Sequence, residues 1–556
     1  LKAINFLVIF FLLPSVSAQT SLTDKRPVDD FIELPDFVPQ TTPPDSILPA
    51  LPALQQSTDK LYADKAFVLK NIVLTGNTVI SNEELQMLVA GYLNSEISLA
   101  DLQTIRDRIT RAYIQRGYIS SGAILPDQTI VDGQVNIQIV EGQLSNVNVE
   151  TDGKFSRDYF SQRLLLAAQP VVNLNNIEQR LFLFQQDPRI KTLAAELKPG
   201  DQPGQSILHV TVQENNPVTQ YMEVNNHHTP SIGAEGLYYS WRHGNLTGEG
   251  DALFMAAEAT QGLLGAEALY ESLVNAADAS VSVFGKMNSS QVIDGEFEAL
   301  DIKSRSATLG LSFKYPVLRT RDRICGWFIT SELRNSKSFL LGDGFSFSPG
   351  PENGVSRITA LRTGPDFQLR SPTRVLAARA TFSVGVDAFN ATVHNDEMPD
   401  GEFISLLLQG QWAQRFAWLQ STLLSRIDVQ MADSSLLGLE QFAVGGHNTV
   451  RGYRENSLVR DQGGVISIEW RMPYLAGETG NKHELALFAD AGYAENKNRE
   501  TVGIKTLNSV GVGLVGNFSK QLQYQLYWAH ALKELTPVGE SDIQDDGVHF
   551  SMGYNW

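Results

Sequence analysis

Leu485-Ala486-Leu487-Phe488-Ala489-Asp490-Ala491-Gly492-Tyr493 decides the fold, because its residues sort cleanly by parity. Successive side chains of a β-strand point to opposite faces. Leu485, Leu487, Ala489, Ala491 and Tyr493 therefore share one face, and Ala486, Phe488, Asp490 and Gly492 share the other. The same alternation runs through Val465 to Arg471, where Ile466, Ile468 and Trp470 oppose Ser467, Glu469 and Arg471. In Leu423 to Met431, Ile427, Val429 and Met431 oppose Arg426, Asp428 and Gln430. In Gln521 to Trp528, Leu522, Tyr524, Leu526 and Trp528 oppose Gln521, Gln523, Gln525 and Tyr527. Short segments of this kind fill the chain after Pro217, where helical periodicity ceases.

A soluble β-sandwich alternates too, with its apolar face turned to a core. Three features favour a transmembrane antiparallel barrel whose apolar face meets lipid. Many segments have the roughly 9 to 11 residues that cross a tilted hydrocarbon layer. Aromatics, among them Tyr238, Trp241, Tyr493, Trp528, Tyr554 and Trp556, sit towards segment ends, as interfacial girdles require. The chain also ends on an alternating segment, with Val548, Phe550, Met552, Tyr554 and Trp556 on one side. At roughly 20 residues per strand and half-turn, residues 216–556 accommodate about 16 strands. Closure pairs every backbone group, which hydrocarbon demands.

Outward from the barrel, the remaining chain divides further. Its 556 residues carry a formal charge of -18 and no cluster of Lys and Arg, which argues against nucleic acid as a partner. Cys325 is the one cysteine, so neither an internal disulfide nor a thiolate metal site is expected, and no motif calls for a cofactor. Residues 1–18 combine Lys2, an apolar run from Phe6 to Leu13 and the small-residue ending Val16-Ser17-Ala18, which predicts a secretory signal peptide. Residues 19–66, with Pro27, Pro35, Pro39, Pro43, Pro44, Pro49 and Pro52, predict an extended linker. Residues 67–141 and 142–215 then repeat one α+β order, β-α-α-β-β, in about 70 residues each. In the first copy Val68 to Leu74 predicts a strand, Ser81-Asn82-Glu83-Glu84 caps one helix and Ser98 opens a second. Tyr118 to Leu125 and Val135 to Val140 then resume alternation. The second copy places helices over 156–167 and 174–185.

One stretch breaks the even rhythm. Between Gly438 and Gly464 lies Glu440-Gln441-Phe442-Ala443-Val444-Gly445-Gly446-His447-Asn448-Thr449-Val450-Arg451-Gly452-Tyr453-Arg454, too long for an ordinary hairpin. Its Phe, Val and Tyr suit packing in a cavity better than free solvation. Val450-Arg451-Gly452-Tyr453 resembles the tip of the sixth extracellular loop in the superfamily of outer-membrane assembly and secretion barrels. Phe488, Asp490 and Gly492 resemble that superfamily's F-x-D-x-G strand motif, and the two repeats resemble polypeptide-transport-associated (POTRA) domains. The whole is similar to the transporters of two-partner secretion, the haemolysin and filamentous-haemagglutinin type.

The resemblance implies a Gram-negative outer-membrane protein that moves one unfolded partner protein from the periplasm to the exterior without ATP. It implies that the loop folds into the lumen and Arg451 pairs with Asp490, that the repeats receive the secreted partner, and that the barrel-assembly machinery recognises the strand ending in Trp556. Parity independently turns Phe488, Asp490 and Gly492 to the polar face. Many members of the family it resembles carry an N-terminal helix that plugs the pore, whereas prolines punctuate the segment here, leaving 53–66 for a short helix. An assembly factor of the same superfamily is the nearest alternative. A barrel enzyme would need a nucleophile-base or paired-carboxylate site, and neither G-x-S-x-G nor H-E-x-x-H occurs. A passive porin has no use for the repeats. His227-His228 reads as ordinary turn or wall residues.

Overall fold

The computed structural model describes residue 37 and residues 66–295, 297–476, 481–536 and 539–556. The expected signal peptide, nearly all of the linker and the 53–65 part of the possible plug helix lie outside the described residues. The chain forms two compact units, one of residues 41–215 with 247–249 and one of the remainder.

In the smaller unit, local capping chemistry sets the helices. Ser81 accepts from the Glu84 amide and opens helix Asn82–Val89. Ser98 and Asp101 form a reciprocal capping box that opens helix Leu99–Gln115. Gly117, at a φ of 90°, follows its end in a conformation that glycine adopts without strain. Leu102, Ile105, Ile109 and Tyr113 share the buried face of the long helix. They pack with Ile72, Leu74, Val135, Ile137 and Ile139 from the sheet below. Fully burying each such side chain is worth about 1.5–3 kcal/mol.

That sheet pairs Asn71–Thr75 parallel to Gln134–Val140, which runs antiparallel to Gly122–Ile124. Two sequence expectations change here. The strand from Val68 to Leu74 is broken: Phe67–Val68 pairs with Glu96–Ile97 instead, and Leu69 is wholly buried between the two sheets' partners. The chain changes partner because the Lys70 and Asn71 amides both donate to Gly133 O. The Tyr118 to Leu125 strand shrinks to Gly122–Ile124, since the Tyr118 amide donates to Tyr113 O and the Ser121 amide to Tyr118 O, making turns of the first half.

The second copy repeats the plan. Gln143–Thr151 runs parallel to Gln205–Glu214, and Ile190–Pro199 runs antiparallel to the same strand. Helices Arg157–Ala167 and Leu174–Gln185 open at Ser156 and Asn173, whose side chains accept from the Tyr159 and Asn175 amides. An aromatic cluster of Phe155, Tyr159, Phe160 and Phe184 joins the two helices, with ring centroids 4.6–5.9 Å apart.

The larger unit is a closed barrel of sixteen antiparallel strands among the described residues, from Val218–Asn225 to Val548–Asn555. Neighbours in sequence pair throughout, and closure joins the first strand to the last over five residue pairs, Tyr221↔Asn555 to Asn225↔Ser551. The outward face carries exposed Ile427, Met431, Leu487, Leu526, Trp528 and Met552, while Asp428, Gln430, Asp490 and Tyr527 are buried inside. Tyr238 departs from its expected place in an aromatic girdle. It is only 2% exposed and packs beside Tyr221 in the lumen, and its neighbour Tyr239 takes the outward position. The cause is register: Tyr238 sits opposite Glu223 and Glu258, on the polar face. Among the described residues no helix is long and apolar enough to cross a membrane.

Glu141, between the two α/β repeats, accepts from the Thr78 and Val79 amides at 2.7 and 3.0 Å and from Tyr113 Oη at 2.9 Å. Burial works to raise its pKa, but these bonds and that of the Thr78 hydroxyl together outweigh it and hold the carboxyl below its ordinary 4.5. A carboxyl whose pKa is depressed by folding stabilises above its unfolded value and loses that contribution as pH falls through the folded one. The described α-helices all lie in this unit, so circular dichroism of the full chain in detergent reports its unfolding. Its urea midpoint should fall as pH is lowered from about 4.5, and Glu141→Gln should flatten that dependence while lowering the midpoint at neutral pH.

Candidate functional site in the barrel lumen

Residues 433–461 leave the barrel wall between strands Ser421–Ala432 and Gln462–Ala476. The excursion is structured. Phe442–Val444 pairs with Leu458–Arg460 as a short antiparallel ladder. Phe442, Val444, Val450, Tyr453 and Leu458 bury themselves against Leu407, Val465, Ala494 and Leu507 of the inner wall. An apolar loop core thus sits inside a polar barrel, which is why this stretch carries Phe, Val and Tyr among its charges.

The tip is held by one cation. Arg451 Nε donates to Asp490 Oδ2 at 2.8 Å and Nη2 to Asp490 Oδ1 at 2.9 Å, the two-pronged grip a guanidinium makes on a carboxylate. Its backbone amide reaches the same carboxylate at 3.1 Å. Nη1 pairs with Glu469, and Nη2 also meets Ser467 Oγ at 3.2 Å. Ser467 in turn donates to Asp490 Oδ1 at 2.6 Å. The guanidinium lies over the Phe488 ring at 3.5 Å and near the Tyr527 ring at 4.8 Å, giving its faces π-contacts while its edges take charge. Glu469 is shared with Arg471 and accepts from Tyr527 Oη at 3.1 Å. Arg451 is about 6% exposed, so solvent screens little of this network.

Two glycines make the contact possible. Gly452 has a φ of 89°, and a β-carbon there would stand 2.9 Å from Ala529 Cβ. Its amide donates to His549 Nε2 at 3.1 Å on the last strand. At Gly492 a β-carbon would come within 2.3 Å of Val444 Cγ1 and 2.8 Å of Val450 Cγ2. Tyr453 completes the tip, donating to Asn508 O at 2.9 Å. Val450, Arg451, Gly452, Tyr453, Phe488, Asp490 and Gly492 are therefore brought together, whereas Trp556 lies apart at the barrel's closing seam, its amide donating to Gln220 O.

Glu469, Ser467 and Tyr527 lie on the inward face that parity gives them, and nothing in the sequence marks them as partners of the loop. His227 and His228 are more than turn residues. Past the end of the first strand, alternation no longer governs them: His227 stacks on the loop's His447 at 3.4 Å, and His228 Nε2 lies 2.6 Å from Glu258. Among the described residues no group of His, Cys, Asp and Glu is arranged to hold a metal ion.

A lipid-facing barrel with an ion-paired loop inside it, carried by a chain with two β-α-α-β-β repeats, defines a secretion or assembly barrel of the outer membrane. Residues 204–516, more than half the chain, match the model of the haemolysin secretion/activation proteins ShlB/FhaC/HecB, and residues 67–142 match the ShlB-type POTRA domain. The chain belongs to this family of outer-membrane transporters of two-partner secretion, with POTRA domains on the periplasmic side. It is 25% identical over 499 residues to the outer membrane transporter CdiB of Dickeya dadantii, covering 84% of this chain and 86% of that one. It is 22% identical to the heme/hemopexin transporter protein HuxB of Haemophilus influenzae, covering 79% and 78%. Its fold is similar to CdiB from Escherichia coli, with a TM-score of 0.68, 19% identity and 94% of each chain covered. BamA from Haemophilus ducreyi is a more distant likeness, at a TM-score of 0.54 and 12% identity, covering 88% of this chain and 100% of that one.

The close approach at Gly492 yields a direct test of loop position. Gly492→Leu should push Val450 off the wall and expose the tip, so that trypsin added to folded barrels cleaves after Arg451 or Arg454, which the native loop resists.

Proposed function

We propose that the loop carrying Arg451 is the moving part through which this transporter passes one exported partner protein. The observation that carries the reading is the burial of a single guanidinium among two carboxylates and two rings inside a polar lumen. Such a lock is specific in geometry, yet a buried ion pair returns little more than its own desolvation costs. It suits a segment that must be held in one place and also leave it. Phe488 and Gly492 support the lock by stacking and by making room, and Val450 and Tyr453 seat the tip.

The two POTRA-like repeats, taken as residues 67–141 and 142–215, receive an extended segment of the partner by strand addition. Gln143–Thr151 and Ile190–Pro199 are the outer strands of the second sheet, each with one side unpaired within that sheet, and main-chain pairing tolerates varied client side chains. No phosphate-binding loop motif occurs in the sequence, so the direction of transport comes from folding of the client outside the cell. The outward apolar face takes lipid, and the aromatic-ended last strand through Trp556 is the part read by the barrel-assembly machinery. The chain acts as a transporter and not as an enzyme.

Arg451→Ala and Asp490→Ala should each give a barrel that remains folded, seen as heat-modifiable migration in gels, while secretion of the partner falls by about tenfold or more, since removing one member of a buried pair costs about 3–5 kcal/mol. Arg451→Lys should recover little, because an ammonium cannot grip the carboxylate with two parallel bonds. Undiminished secretion by both alanine variants would remove the loop from the mechanism.

A further inference from the structure

The tip is not the loop's only charged anchorage. At the start of the excursion, Glu440 is 1% exposed, and its Oε1 accepts from Arg334 Nη1 at 2.9 Å and Arg362 Nη2 at 2.8 Å. Arg334 Nη1 also reaches Leu439 O at 3.0 Å, and Arg362 Nε donates to Glu332 at 3.0 Å and Nη1 to Ser383 at 2.9 Å. Two arginines and two glutamates thus form one chain, buried except at the half-buried Glu332. Leu436, Leu437 and Leu439 pack beside it on Ile358, Ala360, Phe403 and Ala432.

Barrel topology gives this cluster its meaning. Arg334 and Arg362 stand on the seventh and eighth strands, Arg323–Leu340 and Val355–Arg370. The tip's partners Glu469, Asp490, Tyr527 and His549 stand on the twelfth, thirteenth, fifteenth and sixteenth. In a ring of sixteen, strands seven and eight face strands fifteen and sixteen. Tyr527 and His549 thus lie directly across the ring from the stem, while the tip's ion-pair partners Glu469 and Asp490 stand four to six strands from it, so the loop is fastened on two separate arcs of the wall. Glu332, Arg334 and Arg362 also line a cavity inside the barrel together with Lys314, Asp366 and Arg379, so the groups that hold Glu440 face free space in the lumen.

We propose that Glu440, held by Arg334 and Arg362, is a second latch of the transport loop: a positioning residue that fixes the stem to an arc of the wall separate from the tip's and so keeps the loop across the lumen. This rests on the reading that the loop moves in transport. Its test needs no client, so its failure and a failure of that reading are separable.

Purified full-length barrels would be reconstituted in planar lipid bilayers and their single-channel currents recorded. Glu440→Gln keeps size and removes the charge that holds two cations. It should raise the frequency or conductance of open events severalfold over wild type, and Arg362→Gln should do the same by removing a partner. Glu440→Asp, which restores a carboxylate, should return currents towards wild type. Currents of both glutamine variants indistinguishable from wild type would overturn the latch. So would failure of both to reach the folded, heat-modifiable state, which would make the cluster a requirement of barrel formation instead.

Discussion

The structure depends on one constraint: a guanidinium held almost wholly out of water in the middle of a barrel. Arg451 has no place inside the lumen unless carboxylates meet it, and Asp490 and Glu469 do so from adjacent strands. Pairing Ser467 with Asp490 and Glu469 with Phe488 in the ladder sets these groups at the right spacing on the inner face. The rest of the loop follows from this point. Its ladder, its apolar core and the positive φ at Gly452 all serve to deliver one side chain to one pocket.

The energetic character of the contact bears on function as much as its geometry. A buried, fully hydrogen-bonded ion pair contributes modestly to stability, while an unpaired buried charge is costly. The loop is thus strongly specified in place without being deeply trapped there. Arg471 still holds Glu469 and Ser467 still donates to Asp490 once the tip leaves, which lowers the cost of the open state. The sheet, by contrast, has no such freedom, since every backbone group facing hydrocarbon must stay paired. Motion in this protein is therefore assigned to the loop and rigidity to the wall.

Parity made much of this legible. The alternation in 485–493 turns Asp490 inward by itself, and the loop's length and aromatic content mark it as a packed element. The helix starts at Ser81, Ser98 and Ser156 were readable because capping is local chemistry. What escaped was set by closure. Glu469 lay on the correct face among many inward carboxylates, and nothing near it in sequence says which one meets the loop. Glu440 and Arg334 are 106 residues apart, and only a ring of sixteen strands brings them together. Tyr238 was misplaced by one position because an aromatic near a strand end reads equally well on either face. The break at Leu69 is hidden for another reason: the strand changes sheets through tertiary hydrogen bonds to Gly133 that leave no local mark.

Whether Arg451 and Asp490 act as one unit in transport is read from a double-mutant cycle on secretion. Secretion of the partner would be measured for Arg451→Ala, Asp490→Ala and the double variant at matched levels of folded barrel. The double variant should secrete no worse than the poorer single one, because either change already breaks the unit, and losses that multiply would show two independent roles and contradict a single unit.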